Sequence, residues 1–151
     1  MKRTAASSPS PLRGALLVAV LALPAIAHAQ KATAPAAPGA VTTASGLVYT
    51  SLREGTGPSP AATDQVKVNY RGTFLDGREF DSSYARNAPA TFPLDRVIPC
   101  WTEGVQRMKV GGKAQLLCPA AIAYGERGAG GTIPPNTNLR FEVELLAINP
   151  R

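Results

Sequence analysis

The sequence predicts an α+β fold: an antiparallel sheet with one short helix across one face. Three observations lead there. Leu139, Phe141, Val143 and Leu145 alternate with Arg140, Glu142 and Glu144, the period of a strand with one face buried. Val66, Val68 and Tyr70 alternate with Lys67, Asn69 and Arg71 in the same way. Trp101, Val105 and Met108 fall at i, i+4 and i+7, one face of a short helix that Gly111-Gly112 stops. The apolar stripe of that helix has nowhere to go except the sheet.

The elements follow in order. Residues 1–29 have the pattern of a secretory signal peptide: Lys2, Arg3 and Arg13, an apolar run from Gly14 to Leu23, then Ala27-His28-Ala29, with cleavage expected before Gln30. That run is shorter than the ~20 residues a membrane span needs, so no stable membrane insertion is expected. A retained anchor is the alternative. No cysteine follows the run to carry a lipid. Residues 30–44 are rich in Ala and Pro and lack an apolar period, which predicts a flexible linker. The folded domain is expected over 45–151.

Gly46 to Leu52 predicts a first strand, ended by Gly55-Thr56-Gly57-Pro58, and Val66 to Arg71 the next. Asp76-Gly77 signals a tight turn, with Arg78 to Asp81 returning. Ser82 to Pro89 is polar and aperiodic, a loop or bulge; Ala90 to Leu94 suits a short strand. After the helix, Lys113 to Cys118 predicts a strand closed by Pro119, and Ala120 to Tyr124 one helical turn. Residues 125–135 form a long Gly/Pro-rich loop before the last strand.

Composition narrows the chemistry. Residues 1–29 hold three of the 16 basic residues and the only histidine, so the remainder has 13 basic against 10 acidic residues, a balance of +3. No Lys/Arg run accompanies that balance, and no nucleic acid partner is expected. Without histidine, Ser-His-Asp and Cys-His nucleophilic catalysis and His-based zinc sites are excluded from the expected domain. The glycines at 125, 128, 130 and 131 lack the Gly-Lys-Ser/Thr and βαβ context of a phosphate loop, and predict a flexible surface loop instead. Asp76, Glu79 and Asp81 lack the ligand spacing of a calcium loop, so no metal is expected. Paired carboxylates for glycoside hydrolysis stay open on sequence alone, but nothing marks a sugar cleft.

The aromatic residues point further. Tyr70, Phe80, Trp101, Tyr124 and Phe141 each sit in a different predicted element, and Asp81 directly follows Phe80. Ordinary core is the plain reading of such a set. A carboxylate beside it is costly to bury unless Arg86 or the phenols of Tyr70 and Tyr124 satisfy it. An apolar pocket with a few placed polar groups is what a ligand site requires.

Several segments, in order, resemble the FKBP-type peptidyl-prolyl isomerases: Val68-Asn69-Tyr70-Arg71-Gly72, Asp76 to Ser83, Val97 to Val105, Ala123-Tyr124-Gly125, Ile133 to Asn136, and Leu139 to Leu146. The likeness covers roughly residues 46–149. With the leader, the chain looks like an exported bacterial, macrophage-infectivity-potentiator-like member, with the periplasm as the expected location and secretion as the alternative. The resemblance implies a twisted antiparallel half-barrel around one short helix, and isomerisation of X–Pro bonds to assist folding. It implies proline-containing polypeptides as substrates, rapamycin-type macrolides as ligands and no cofactor. By resemblance, Tyr70, Asp81, Trp101, Tyr124 and Phe141 are the catalytic set, and Phe80, Arg86, Val97, Ile98 and Ile133 the substrate-binding set. Trp101 would floor the pocket, the Ile98 N–H and the Tyr124 hydroxyl would donate to substrate, and Asp81 would accept from Tyr70 and Arg86.

Three positions depart from the family pattern. Ala90 replaces a second pocket aromatic, implying a more open wall. Ala129 lies where some eukaryotic members carry histidine. Cys100 replaces the glycine usual before the tryptophan. A Cys100–Cys118 disulfide is the default reading for the one cysteine pair of an exported chain, worth ~3 kcal/mol in the chain-entropy model. Two buried free thiols are the alternative. No long extra helix or insert is visible to carry dimerisation, so a monomer is expected.

Overall fold

The strongest alternation in the sequence forms the strand on which the sheet is built. The computed structural model describes residues 39–149. Its strands are β1 (Ala40–Thr42), β2 (Val48–Arg53), β3 (Gln65–Phe74), β4 (Glu79–Ser82), β5 (Ala90–Pro93), β6 (Lys113–Cys118) and β7 (Leu139–Asn149), with the helix α1 at Pro99–Gln106. One antiparallel sheet runs β1-β2-β6-β7-β3-β4, and β5 pairs with the other end of β3. The expected α+β class, antiparallel sheet and single short helix are all present.

Register turns the alternation into a core. β7 pairs along all of β3, with Tyr70 opposite Val143 and Gly72 opposite Phe141. On its other side Leu116 lies opposite Phe141. Leu139, Phe141, Val143 and Leu145 are therefore buried on the face that also holds Leu116, Val66 and Val68. α1 packs on this face through Cys100, Trp101, Gly104 and Val105. Gly104 permits the close approach: a Cβ there would fall 2.7 Å from Leu116 Cδ2.

The helix starts with Pro99 at its first turn, where a missing N–H costs nothing. It ends earlier than the apolar period suggests. Arg107 N–H and Met108 N–H donate to Gly104 and Val105 carbonyls, tightening the last turn, and Met108 is buried just beyond it. A disulfide joins Cys100 in α1 to Cys118 at the end of β6, with Cα atoms 5.8 Å apart. This bears out the disulfide reading and excludes the pair of free thiols.

Four local features differ from expectation. Residues 40–42, inside the stretch read as linker, pair with β2; three residues are too few to show a strand period. The Thr43–Gly46 turn that follows is tied to the helix by Ser45, whose hydroxyl donates to Glu103. Leu94 belongs not to β5 but to a 3-10 turn, Leu94–Arg96. The 125–135 loop is folded on itself rather than open: Ala129 and Ile133 form a bridge, and Ile133 is buried. Residues 1–38, which include the expected signal peptide, lie outside the described residues.

Ser83 pins the loop between β4 and β5. It is fully buried; its hydroxyl accepts from Tyr70 N–H at 2.9 Å, and its own N–H donates to the Tyr70 carbonyl at 2.9 Å. Its carbonyl accepts from Arg86 and Ala88 N–H.

Ser83→Ala should leave the buried Tyr70 N–H without its acceptor and cost about 1–3 kcal/mol in urea unfolding. An unchanged midpoint would contradict this. Reducing the disulfide should lower stability by about 3 kcal/mol, read from the same experiment with and without reductant.

Candidate functional site

Between α1 and the sheet lies a cleft of about 320 Å³, lined by Tyr70, Phe80, Asp81, Phe92, Arg96, Val97, Ile98, Trp101, Tyr124 and Phe141. Trp101 is only 4 % exposed. The strands bring three rings edge-on to its indole: Tyr70 at 5.3 Å, Phe92 at 5.6 Å and Phe141 at 5.5 Å, all within 10° of perpendicular. Edge-to-face pairs contribute about 0.5–1.5 kcal/mol each beyond their area. Among the described residues the indole N–H is buried without a partner, so its surroundings are almost wholly apolar.

Phe80 extends the wall, meeting Phe141 edge-on at 5.6 Å. Gly72 makes room for both rings. A Cβ at that position would fall 2.6 Å from Phe80 Cζ and 3.0 Å from Phe141 Cε1.

The polar side of the cleft is one network. Tyr70 OH donates to Asp81 Oδ2 at 2.5 Å and accepts from Arg86 Nη2 at 2.8 Å. The Arg86 guanidinium also pairs with the other Asp81 oxygen. Partial burial pushes the Asp81 carboxyl up, but the donors Tyr70 and Arg86 outweigh it and hold the group below its ordinary range. Burial and the nearby carboxylate push both Tyr70 and Tyr124 phenols up, so both stay protonated as donors at neutral pH. Bonds to Tyr70 and Asp81 strengthen the Arg86 charge.

Eight of the ten residues named from the sequence line this cleft: Tyr70, Phe80, Asp81, Val97, Ile98, Trp101, Tyr124 and Phe141. The other two are not among its lining residues. Arg86 acts on the Asp81–Tyr70 pair, and Ile133 packs in the core. Two liners escaped the sequence reading. Phe92 stands two residues after Ala90, on the same face of β5, and its ring packs against both Tyr70 and Trp101. Ala90 itself is not among the residues that line the cleft. Alternation from Ala90 could have found Phe92. Arg96 had no such signal, because it lies in the 3-10 turn.

The comparisons with known proteins agree with this geometry. Residues 57–146 match the family of FKBP-type peptidyl-prolyl cis-trans isomerases. The chain is 58 % identical over 110 residues to an FKBP-type isomerase FkpA of Aeromonas hydrophila, covering 73 % of this chain and 41 % of that one. It is 47 % identical over 114 residues to the isomerase Mip of Coxiella burnetii, covering 76 % of this chain and 50 % of that one. The crystal structure of FkpA from Escherichia coli superposes with a TM-score of 0.72 at 50 % identity, over 74 % of this chain and 52 % of that one. The chain spans about half the length of these relatives. A shared fold, extensive identity and an aromatic cleft at the matching segments make this chain a member of the FKBP-type peptidyl-prolyl cis-trans isomerase family.

Proposed function

We propose that this chain accelerates cis–trans rotation of X–Pro bonds in exported polypeptides, binding the prolyl ring over Trp101. The observation that carries the proposal is the indole floor, ringed by Tyr70, Phe92 and Phe141 and open to a 320 Å³ cleft. Export rests on the leader-like residues 1–29.

The barrier to rotation is ~18–20 kcal/mol, because resonance gives the C–N bond double-bond character. Rotation breaks no covalent bond, so neither a nucleophile nor a proton acceptor is required. The protein must hold the twisted amide more tightly than the planar one. Twisting removes resonance and reduces charge separation, and an apolar cleft favours that form. Bringing a ~100 s process to ~10 ms is a factor of ten thousand, or ~5.4 kcal/mol.

Trp101, Phe141 and Phe80 contact the ring. Ile98, at the helix N-cap, offers its N–H to a substrate carbonyl, and the half-exposed Tyr124 offers its hydroxyl. Asp81 is a positioning group: as an acceptor bound by Tyr70 and Arg86 it fixes the polar wall. Val97 completes the mouth of the cleft, and Ile133 supports it from the core. A rapamycin-type macrolide would occupy the same cleft.

A protease-coupled proline-peptide assay should show turnover that rapamycin abolishes; no turnover above the uncatalysed rate would end the proposal. Asp81→Ala should lower kcat/KM about tenfold or more, the worth of a charge-assisted hydrogen bond, with the fold kept by circular dichroism. Unchanged turnover would remove Asp81 from the site. Trp101→Ala should weaken peptide binding and also cost about 3–5 kcal/mol of stability.

Asp81 is held below its ordinary 3.8, while Tyr70 and Tyr124 are held above their ordinary 10.0. The carboxylate is lost only as pH falls through its lowered value, and the phenolic donors only as pH rises through theirs. kcat/KM should therefore be flat from about pH 5 to 9. A bell centred near neutrality would contradict the assignment.

A further inference from the structure

We propose that Arg96 makes this cleft selective for substrates with an acidic side chain next to the proline. The inference rests on the isomerase reading and adds a substrate class to it.

Arg96 is exposed, yet it lines the same cleft as Trp101, Val97 and Ile98. The 3-10 turn Leu94–Arg96 places it there, immediately before the two residues that lead into α1. Among the described residues it has no ion pair.

The nearby acids are otherwise engaged. Asp81, the other charge lining the cleft, is paired with Arg86 and hydrogen-bonded by Tyr70. Asp95 and Glu103 line a neighbouring groove along α1, which shares Val97 with the cleft, and neither lines the cleft itself. Glu103 is held there by Ser45 and Arg107. With Asp81 paired to Arg86, the Arg96 guanidinium is the one charge without an ion pair among the described residues that line the cleft.

A peptide lying over Trp101 must carry its neighbouring side chains across the cleft rim. A glutamate or aspartate there reaches a guanidinium with free donors, whereas a lysine meets a like charge. The bound peptide also excludes water from the pair, which strengthens the attraction.

The test is turnover of a peptide series carrying Glu, Gln or Lys either before or after the proline. At one of these positions the wild type should favour Glu over Lys by about two- to fivefold, the range of a partly exposed ion pair. That ratio should shrink towards one in 1 M salt. Arg96→Lys should keep it, Arg96→Gln should bring it near one and Arg96→Glu should invert it. Lys67→Glu makes the same change in net charge on exposed β3, outside the cleft, and should leave it unchanged. A wild-type ratio of one at both positions, or a ratio that survives Arg96→Glu, overturns the proposal while leaving the isomerase reading intact. Absence of turnover on every peptide overturns both.

Discussion

The edge-on packing of Trp101 against Tyr70, Phe92 and Phe141 is the contact on which the cleft depends. The three rings come from three strands, so the indole senses the placement of each. β3 presents Tyr70, β5 Phe92 and β7 Phe141, and the antiparallel register sets Tyr70 beside Val143 and Gly72 beside Phe141. A one-residue slip of β3 would send Tyr70 to the outer face and remove both the ring and the phenol. The helix contributes through a glycine: at Gly104 a side chain would strike Leu116 and lift the indole off the sheet. The Cys100–Cys118 bridge fastens the residue beside Trp101 to β6. The floor of the cleft is thus held by packing from one side and by a covalent bond from the other.

The polar wall is built on a different device. Ser83 exchanges hydrogen bonds with the Tyr70 backbone, fixing where the chain leaves β4 and where Arg86 emerges. Arg86 then reaches both the Tyr70 hydroxyl and Asp81. An aspartate beside an apolar cleft is expensive unless its oxygens are bonded. Satisfying both from one tyrosine and one arginine keeps the carboxylate ionised without a titrating group of its own at neutral pH. A reaction that moves no proton suits such a site.

Much of this is legible in the residues. The long alternations of β7 and β3 survive in the sequence because one face is buried along their whole length. The cysteine pair is legible from its number and the leader, and the cleft from the ordered segments around Tyr70, Asp81, Trp101 and Tyr124. What escapes has physical reasons. β1 is three residues long and has no period to display. Phe92 lies on a four-residue strand, where a single alternation carries little weight. A buried serine such as Ser83 looks like any polar loop residue until its partners are seen. Arg96 gains its meaning only from the turn that aims it at the cleft. Arg86 and Ile133 do not line the cleft: Arg86 bonds Asp81 and Tyr70, and Ile133 packs in the core, so neither placement could be read from the order of segments.

An isomerase working through this cleft must seat a prolyl ring on the Trp101 indole. Isotope-edited NMR of the protein with a saturating X–Pro peptide tests it most directly. Nuclear Overhauser contacts are expected between the proline ring protons and the indole of Trp101, with further contacts to Phe141 and Tyr70. They should vanish when alanine replaces the proline. A peptide that is turned over but shows its proline contacts elsewhere, with none to Trp101, would mean that the indole is not the floor of the substrate site.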